Sequence, residues 1–322
     1  MDRIYRIIIL MALLAVCISC SDPEHKEIPD LISPSIEILN PIPAQVIGND
    51  VLVSAKVLDD VGIERVEFFI DDLLVGTDTQ TPWEYLWLVS GYLDGMQHFI
   101  NAKAYDLAGN IGKSDTVTVS TFGLILDIDG NTYKTIKIGT QTWMAENLSV
   151  SHYRNSDAIL SAFDDSLWST VTSGASAIHP SYEGYEQDIY GFLYNWYAVN
   201  DNRGLAPEGW HIPTIDEWLE LIISSGGREL AGNRLKDSSG DYWISSDSDT
   251  TGENLFMALP GGRRHESGGY FGASVGSYGF YWASTEDSAP LSDFVQFNYY
   301  EPEVGIGHYD KRNGFSIRCV KN

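Results

Sequence analysis

Gly209-Trp210-His211-Ile212-Pro213-Thr214-Ile215-Asp216-Glu217-Trp218 spells out the start of a helix. Thr214 suits the N-cap, where a hydroxyl accepts a bond from an otherwise unpaired backbone N–H. Glu217 stands at N3, from which its carboxylate reaches back to the cap and completes a capping box. Asp216 and Glu217 set negative charge at the positive end of the helix dipole. Ile215, Trp218, Leu219 and Ile222 recur at helical spacing and predict one apolar face. Ser224-Ser225-Gly226-Gly227 stops the helix. Such a face needs a core to bury it, and the chain around it, residues 127–322, is read as one head domain.

Outward from the helix, composition bounds the rest. The 322 residues carry a formal net charge of −25. Phosphate binding needs clustered Lys and Arg, so nucleic acid is excluded as a partner, as is electrostatic docking on anionic lipid. The cysteines are Cys17, Cys20 and Cys319. Two of them fall in the leader, so no disulfide framework is available and packed cores must supply stability.

Residues 1–20 read as a secretion signal. Arg3 and Arg6 open it, and Ile7–Val16 is an apolar run too short to span a bilayer. It closes on Cys17-Ile18-Ser19-Cys20, which resembles the lipobox of bacterial lipoproteins. There a small residue precedes the lipidated cysteine, so Cys20 after Ser19 fits better than Cys17 after Val16. The run Ser21-Asp22-Pro23-Glu24 resembles the surface-export signal of Bacteroidota lipoproteins. The resemblance implies an outer-membrane protein, lipid-anchored and facing outward, with the membrane as a partner through its N-terminal acyl chains. Residues 21–34 form a polar tether, and the thirteen residues Ser21–Ser33, extended, reach about 40 Å.

Residues 35–121 alternate. Ile36 and Ile38, then Val51, Val53, Ala55 and Val57, then Val66, Phe68 and Ile70, then Ile100, Ala102 and Ala104, then Val117 and Val119 mark strands with one buried face. Asn49-Asp50, Asp71-Asp72, Asp94-Gly95 and Gly109-Asn110 turn between them. About seven short strands predict an all-β sandwich. The segment resembles bacterial Ig-like domains, carried by Val57-Leu58-Asp59-Asp60, Ile63–Ile70 and Ala102–Asp106 with Ala108-Gly109-Asn110. Trp83 and Trp87 are expected in its core or over its edge, and its expected role is that of a spacer.

Phe122–Leu126 is read as the junction. Asp127-Ile128-Asp129-Gly130-Asn131 follows. Asp127, Asp129 and Asn131 have a spacing able to place three oxygens around calcium. No Glu stands at the twelfth position, however, and Asp129-Gly130 is a hairpin dipeptide, which makes a turn the better reading. Asp188 is expected to cap a second helix carrying Ile189, Phe192, Leu193, Trp196, Tyr197 and Asn200. Leu255–Leu259, Tyr281–Thr285, Phe294–Tyr299 and Phe315–Val320 are expected strands.

Asp129-Gly130-Asn131-x-Tyr133, Ile138-Gly139-x-Gln141-x-Trp143-Met144-Ala145-Glu146-Asn147-Leu148, Tyr190-Gly191-x-Leu193-Tyr194-Asn195-Trp196, Gly209–Thr214, Ala258-Leu259-Pro260-Gly261-Gly262, Trp282-x-Ser284-Thr285-Glu286 and Gly314–Val320 follow in that order. Together they resemble the Fibrobacter succinogenes major paralogous domain over about Asp127–Asn322. That family belongs to surface and secreted bacterial proteins and has no settled activity. A more distant likeness is to the formylglycine-generating enzymes. It implies an α+β, C-type lectin-like fold for the head, but not their chemistry, which needs a reactive cysteine pair holding copper. Cys319 is expected to be a buried strand thiol.

On such a fold, long loops make the ligand face. Here these are Gly240–Glu253 and Arg264–Phe280, carrying Tyr242, Trp243, Tyr270, Phe271 and Tyr278 among small polar residues, a composition suited to recognition. Glu301-Pro302-Glu303 lacks the later Trp-Asn-Asp of calcium-dependent sugar sites. Arg263-Arg264-His265 is expected to pair with carboxylates, and His211 to be a structural hydrogen-bonder. No Ser/His/Asp order, phosphate loop or zinc spacing appears, so no cofactor is implied. The reading is an Ig-like spacer presenting a non-catalytic head to a glycan or protein ligand. The alternatives are a cell-envelope glycan-processing enzyme or a structural part of a surface assembly.

Overall fold

The structure is a computed structural model and describes residues 29–180, 186–244, 255–270 and 275–322. The signal segment, Cys20 and Phe271 lie outside the described residues. The chain is mostly β-sheet, beginning with an Ig-like domain.

That domain holds β1 (Ser35–Asn40), β2 (Val46–Ile47), β3 (Val51–Leu58), β4 (Ile63–Ile70), β5 (Leu73–Asp78), β6 (Trp83–Trp87), β7 (Gln97–Asp106), β8 (Ile111–Lys113) and β9 (Val117–Thr121). One sheet runs β1-β3-β6; the other runs β2-β9-β7-β4-β5, with β8 off β7. The alternation noted above buries Val53, Ala55, Val66, Phe68, Ile70, Ile100, Ala102, Ala104, Val117 and Val119 between them. Phe68 lies opposite Ala102 and Val66 opposite Ala104, so large and small side chains interdigitate across the ladder. Trp83 and Trp87 are both in this core, taking the place of the absent cysteine pair. Each such burial contributes roughly 1.5–3 kcal/mol.

Phe122–Leu126 is not a linker. Gly123–Leu126 is β10, which pairs directly with β11 (Thr132–Ile138). Phe122 is buried in the core of the head. The head therefore begins where β9 ends. β10, β11, β12 (Gln141–Met144), β20 (Val320–Lys321) and β16 (Trp210–His211) form its main sheet in that order, so the head's last strand closes against its third. Between them come β13 (Leu160–Ser161), α1 (Asp165–Thr170), β14 (Ala175–Ala177), α2 (Glu186–Tyr190), β15 (Leu193–Tyr194), α3 (Trp196–Val199), α4 (Ile215–Ser224) and α5 (Ala231–Leu235). β17 (Tyr278–Ser288), β18 (Leu291–Asn298) and β19 (Gly305–Asp310) make an antiparallel sheet with a core on each face.

The capping box forms. Thr214 Oγ1 accepts from Glu217 N at 3.3 Å, and Glu217 Oε2 accepts from Thr214 N at 2.8 Å. The buried face differs by one residue from expectation. Leu221 joins Trp218 and Ile222 in the core, whereas Leu219 stays 38% exposed. The second expected helix is broken into α2 and α3. Gly191 holds φ of 67°, and a Cβ there would lie 2.6 Å from the carbonyl oxygen of Leu148. Asn195, not Asp188, caps the α3 turn, accepting from Ala198 N.

Leu255–Leu259 is not a strand. Leu255 and Met257 have positive φ, and the segment makes a single isolated bridge, Ala258 to Lys236. Phe315–Val320 is likewise mostly bridges, with only its end in β20.

Candidate binding surface

The motif residues prove to be scaffold. Arg318 is fully buried, and its guanidinium donates to Asn147 Oδ1 at 2.6 Å, to the Met144 carbonyl at 3.1 Å, to the Met257 carbonyl at 2.8 Å and to the Phe256 carbonyl. It lies over the rings of Phe256 and Tyr281. Trp143, Trp218, Phe256, Tyr281 and Phe297 pack edge-on or tilted around it. Arg264 repeats the device. It is buried over Trp168 and Tyr270 and donates to the carbonyls of Gly268, Ala162 and Phe163 and to Asp165 Oδ1 at 3.0 Å. The carboxylate pairing expected for this basic spot is present there, and again where His265 Nε2 meets Glu266 Oε2 at 3.1 Å. His211 bridges Asn322 and Glu217, at 2.7 Å to each. Cys319 is buried in the core, and burial raises its thiol pKa far above the ordinary value.

The oxygens of the 127–131 spacing are engaged within the turn. Asp127 Oδ1 accepts from Asp129 N and Asn131 N, and Oδ2 accepts from Asn131 Nδ2 and the Tyr133 hydroxyl. Asp129 turns away to Ser151 and His152. These bonds build the hairpin between β10 and β11. A cleft of about 570 Å3 lies beside it, lined by Arg154, Arg203, Glu208 and apolar neighbours. Arg203 is already held by Asp201 and Asp157. On the β17–β19 sheet, Asp287, Asp293 and His308 come together, with His308 Nδ1 2.6 Å from Asp293 Oδ1.

The predicted loop aromatics divide. Trp243 is a core residue, 7% exposed, with its indole N–H donated to the Ala258 carbonyl at 3.0 Å, and is not available to a ligand. Tyr242 is half-buried, edge-on to Tyr190. Tyr270 is half-buried as well, donating its hydroxyl to the Ile178 carbonyl at 3.0 Å, with His179 against its ring. Among the described residues of this set, Tyr278 alone is joined to an open aromatic group. It stacks on Phe280 at 5.8 Å and meets the edge of Tyr300 at 6.4 Å, and Tyr300 is edge-on to Tyr299 at 5.0 Å.

Tyr299 ends the expected strand Phe294–Tyr299 and Tyr300 follows it, so neither stands out in the sequence as a surface residue. Tyr300 is 53% exposed, and Tyr299 and Tyr278 are half-buried. Their turn is rigid. Buried Asn298 accepts from Tyr300 N at 3.2 Å and Glu301 N at 2.8 Å. Lys236 reaches the same turn from inside, donating to the carbonyls of Asn298 at 3.0 Å and Glu301 at 3.3 Å beneath the Trp243 ring. Burial lowers the Lys236 pKa to about 8. The hydrogen bond with Tyr278 raises the pKa of the Tyr300 hydroxyl. The long loops converge here too: Tyr299 N donates to Ser277 O, and Ile244 N to Gly276 O. The result is a fixed, partly wet tyrosine face beside exposed Glu301. It offers ring faces and hydroxyls for contact, and among its described residues no nucleophile and base stand together.

A family model described as Fibrobacter succinogenes major domain matches residues 136–321, and one described as Bacterial Ig domain matches residues 34–102. No curated protein matches. Among solved structures, the fibronectin(III)-like modules of Clostridium thermocellum CbhA align at 22% identity over 27% of this chain and 93% of theirs, with a TM-score of 0.25. The endo-beta-1,4-mannanase from Thermotoga petrophila aligns at 17% identity over 29% of this chain and 21% of its own, with a TM-score of 0.24.

Proposed function

We propose that this chain, which belongs to the Fibrobacter succinogenes major domain family, is a lipid-anchored cell-envelope protein whose head binds a glycan or a surface protein without turning it over. The observation that carries the reading is the Tyr278–Tyr299–Tyr300 face, braced by Asn298 and Lys236. Rigid aromatics gain contact area with little loss of conformational freedom, and a pre-set turn lowers the ordering cost of binding. The pairing of the head's last strand with β12, in the same sheet as the strands that open the head, supports a C-type lectin-like description of its fold. The lipobox at Cys20 and the acidic run after it support the anchor and an outward-facing outer-membrane location. The Ig-like domain then serves as the spacer.

The test is a glycan and protein array probed with the full chain, with and without calcium. Wild type binds one ligand class, and the Tyr278→Ala/Tyr300→Ala variant loses it. Binding that survives the double variant would assign the contact to another surface. Radiolabelled palmitate incorporated by wild type, but not by Cys20→Ser, checks the anchor.

A further inference from the structure

Arg154 is an arginine without a carboxylate in an acid-rich protein. Arg65, Arg203, Arg228, Arg264 and Arg312 each stand against one, at 3.0 Å or less. Among the described residues, the Arg154 guanidinium meets no acceptor. It lines the cleft of about 570 Å3 beside the turn between β10 and β11. We propose that this cleft binds a carboxylate carried on a small apolar body.

The walls are set by the chain's own bonds. On one side, Asp127 fixes the turn, which leaves Leu126 63% exposed and Ile128 48% exposed at the cleft. On the other, Arg154 N donates to the Gly204 carbonyl and Gly204 N to the Asp201 carbonyl, at 2.9 Å each. Gly204 holds φ of 79°, and a Cβ there would collide with Nε and Nη2 of Arg154, so bare backbone is the seat of the guanidinium. Arg203 also lines the cleft, but Asp201 and Asp157 already hold it. Buried Leu205 and Pro207 extend the apolar lining.

The chemistry of the lining selects the ligand. A guanidinium offers a planar fork of N–H donors that meets a carboxylate in two parallel bonds. A cleft of this volume suits a small molecule or a chain end, and an apolar lining with few polar groups is the usual make-up of such sites. Leu126 and Ile128 give an apolar body two wet side chains to cover, which drives binding. With one unspent guanidinium, and with Glu208 lining the same cleft, a single negative charge is favoured over a phosphate or sulfate dianion. A free aliphatic acid and the C-terminal residue of a peptide share this chemistry. The cleft has no residue in common with the Tyr278–Tyr299–Tyr300 face, so it is a second site, independent of the recognition proposed there.

The experiment is saturation-transfer NMR on the full chain, with hexanoate, N-acetyl-leucine and N-acetyl-leucinamide as probes. Both acids bind, and the amide binds about tenfold more weakly or worse. N-acetyl-leucine binding tighter than hexanoate assigns the site to a chain end, and the reverse assigns it to a free acid. Arg154→Gln weakens both acids about tenfold or more, and Ile128→Ser weakens them less. Each variant keeps the wild-type urea midpoint, because both side chains are exposed. Tyr278→Ala/Tyr300→Ala binds both acids like wild type. No saturation transfer to either acid, an amide that binds as well as its acid, or undiminished binding in Arg154→Gln would each overturn the site. Displacement of hexanoate by equimolar sulfate would do so too, reducing Arg154 to a general anion contact.

Discussion

Arg318 Nη2 lies 2.8 Å from the carbonyl oxygen of Met257, a residue held at φ of 52°. Leu255, two residues earlier, is at φ of 50°. Left-handed backbone at non-glycine residues costs of order 1 kcal/mol or more, and it persists where the surroundings demand it. Here the guanidinium gathers the carbonyls of Met144, Phe256 and Met257 into one fork. Arg318→Lys keeps the charge but loses the fork, leaving buried carbonyls without donors. The expected loss is about 3 kcal/mol or more of head stability, read from the near-ultraviolet unfolding curve in urea. A midpoint unchanged from wild type would show that the strained segment does not depend on this residue.

His98 gives the Ig-like domain a pH dependence. It is buried, with Nδ1 2.7 Å from Asp71 Oδ2 and Nε2 3.2 Å from Asp94 Oδ1, against the rings of Trp87 and Tyr92 and the Thr121 hydroxyl. Burial opposes its charge, but bonding and attraction from Asp71 and then Asp94 outweigh this and raise its pKa above the ordinary 6.5. The folded state thus binds the proton more tightly than the unfolded one. The stabilisation is complete below pH 6.5 and disappears as pH rises through the folded value. Urea midpoints of the Ig-like transition should fall across that window in wild type and stay flat, relative to it, in His98→Asn.

Lys236 has the opposite sign. Unfolded, it holds its proton to pH 10.5; folded, burial brings it to about 8. Between these values the unfolded chain binds more protons, so this residue makes head stability rise with pH from about 8 to 10.5. Lys236→Met removes the slope, seen as the difference between wild-type and variant midpoints over that range. A constant difference would mean that the folded lysine titrates at its ordinary value.

How much of this could be read beforehand depended on whether one local pattern governed the segment. The β-sandwich was legible because period-two alternation is also its packing rule, as Val66, Phe68 and Ile70 illustrate. The Thr214 helix was legible because its cap is local. Leu255–Leu259 was not, since its apolar residues suit a strand while its carbonyls are claimed by an arginine about sixty residues away in sequence. The helical spacing from Ile189 to Asn200 was genuine, but Gly191 sits against Leu148, a contact set by tertiary structure. Buried Arg264 and Arg318 look like surface residues in any composition. Of the loop aromatics, Trp243 departs from its composition because its hydrogen bond to Ala258 lets a polar-edged ring enter the core. Tyr300 is not legible as a surface residue, because alternation cannot show that β18 ends at Asn298.

The tyrosine face makes the last distinction. Trp243 and Tyr300 both belong to loop-rich segments, yet one is core and the other is more than half exposed. Trp243→Ala should cost about 3–5 kcal/mol through cavity formation and the lost cover over Lys236. Tyr300→Ala should stay within about 0.5 kcal/mol of wild type, because little surface is uncovered. If the face serves recognition, the order reverses for ligand: at a temperature where all variants are folded, Tyr300→Ala weakens binding tenfold or more. Lys236→Met, which frees the turn without removing a ring, weakens it less and through a slower association rate. Measuring both the midpoint and the two rate constants separates the roles. A Tyr300→Ala protein that is destabilised like Trp243→Ala but binds normally would turn this face into plain core cover.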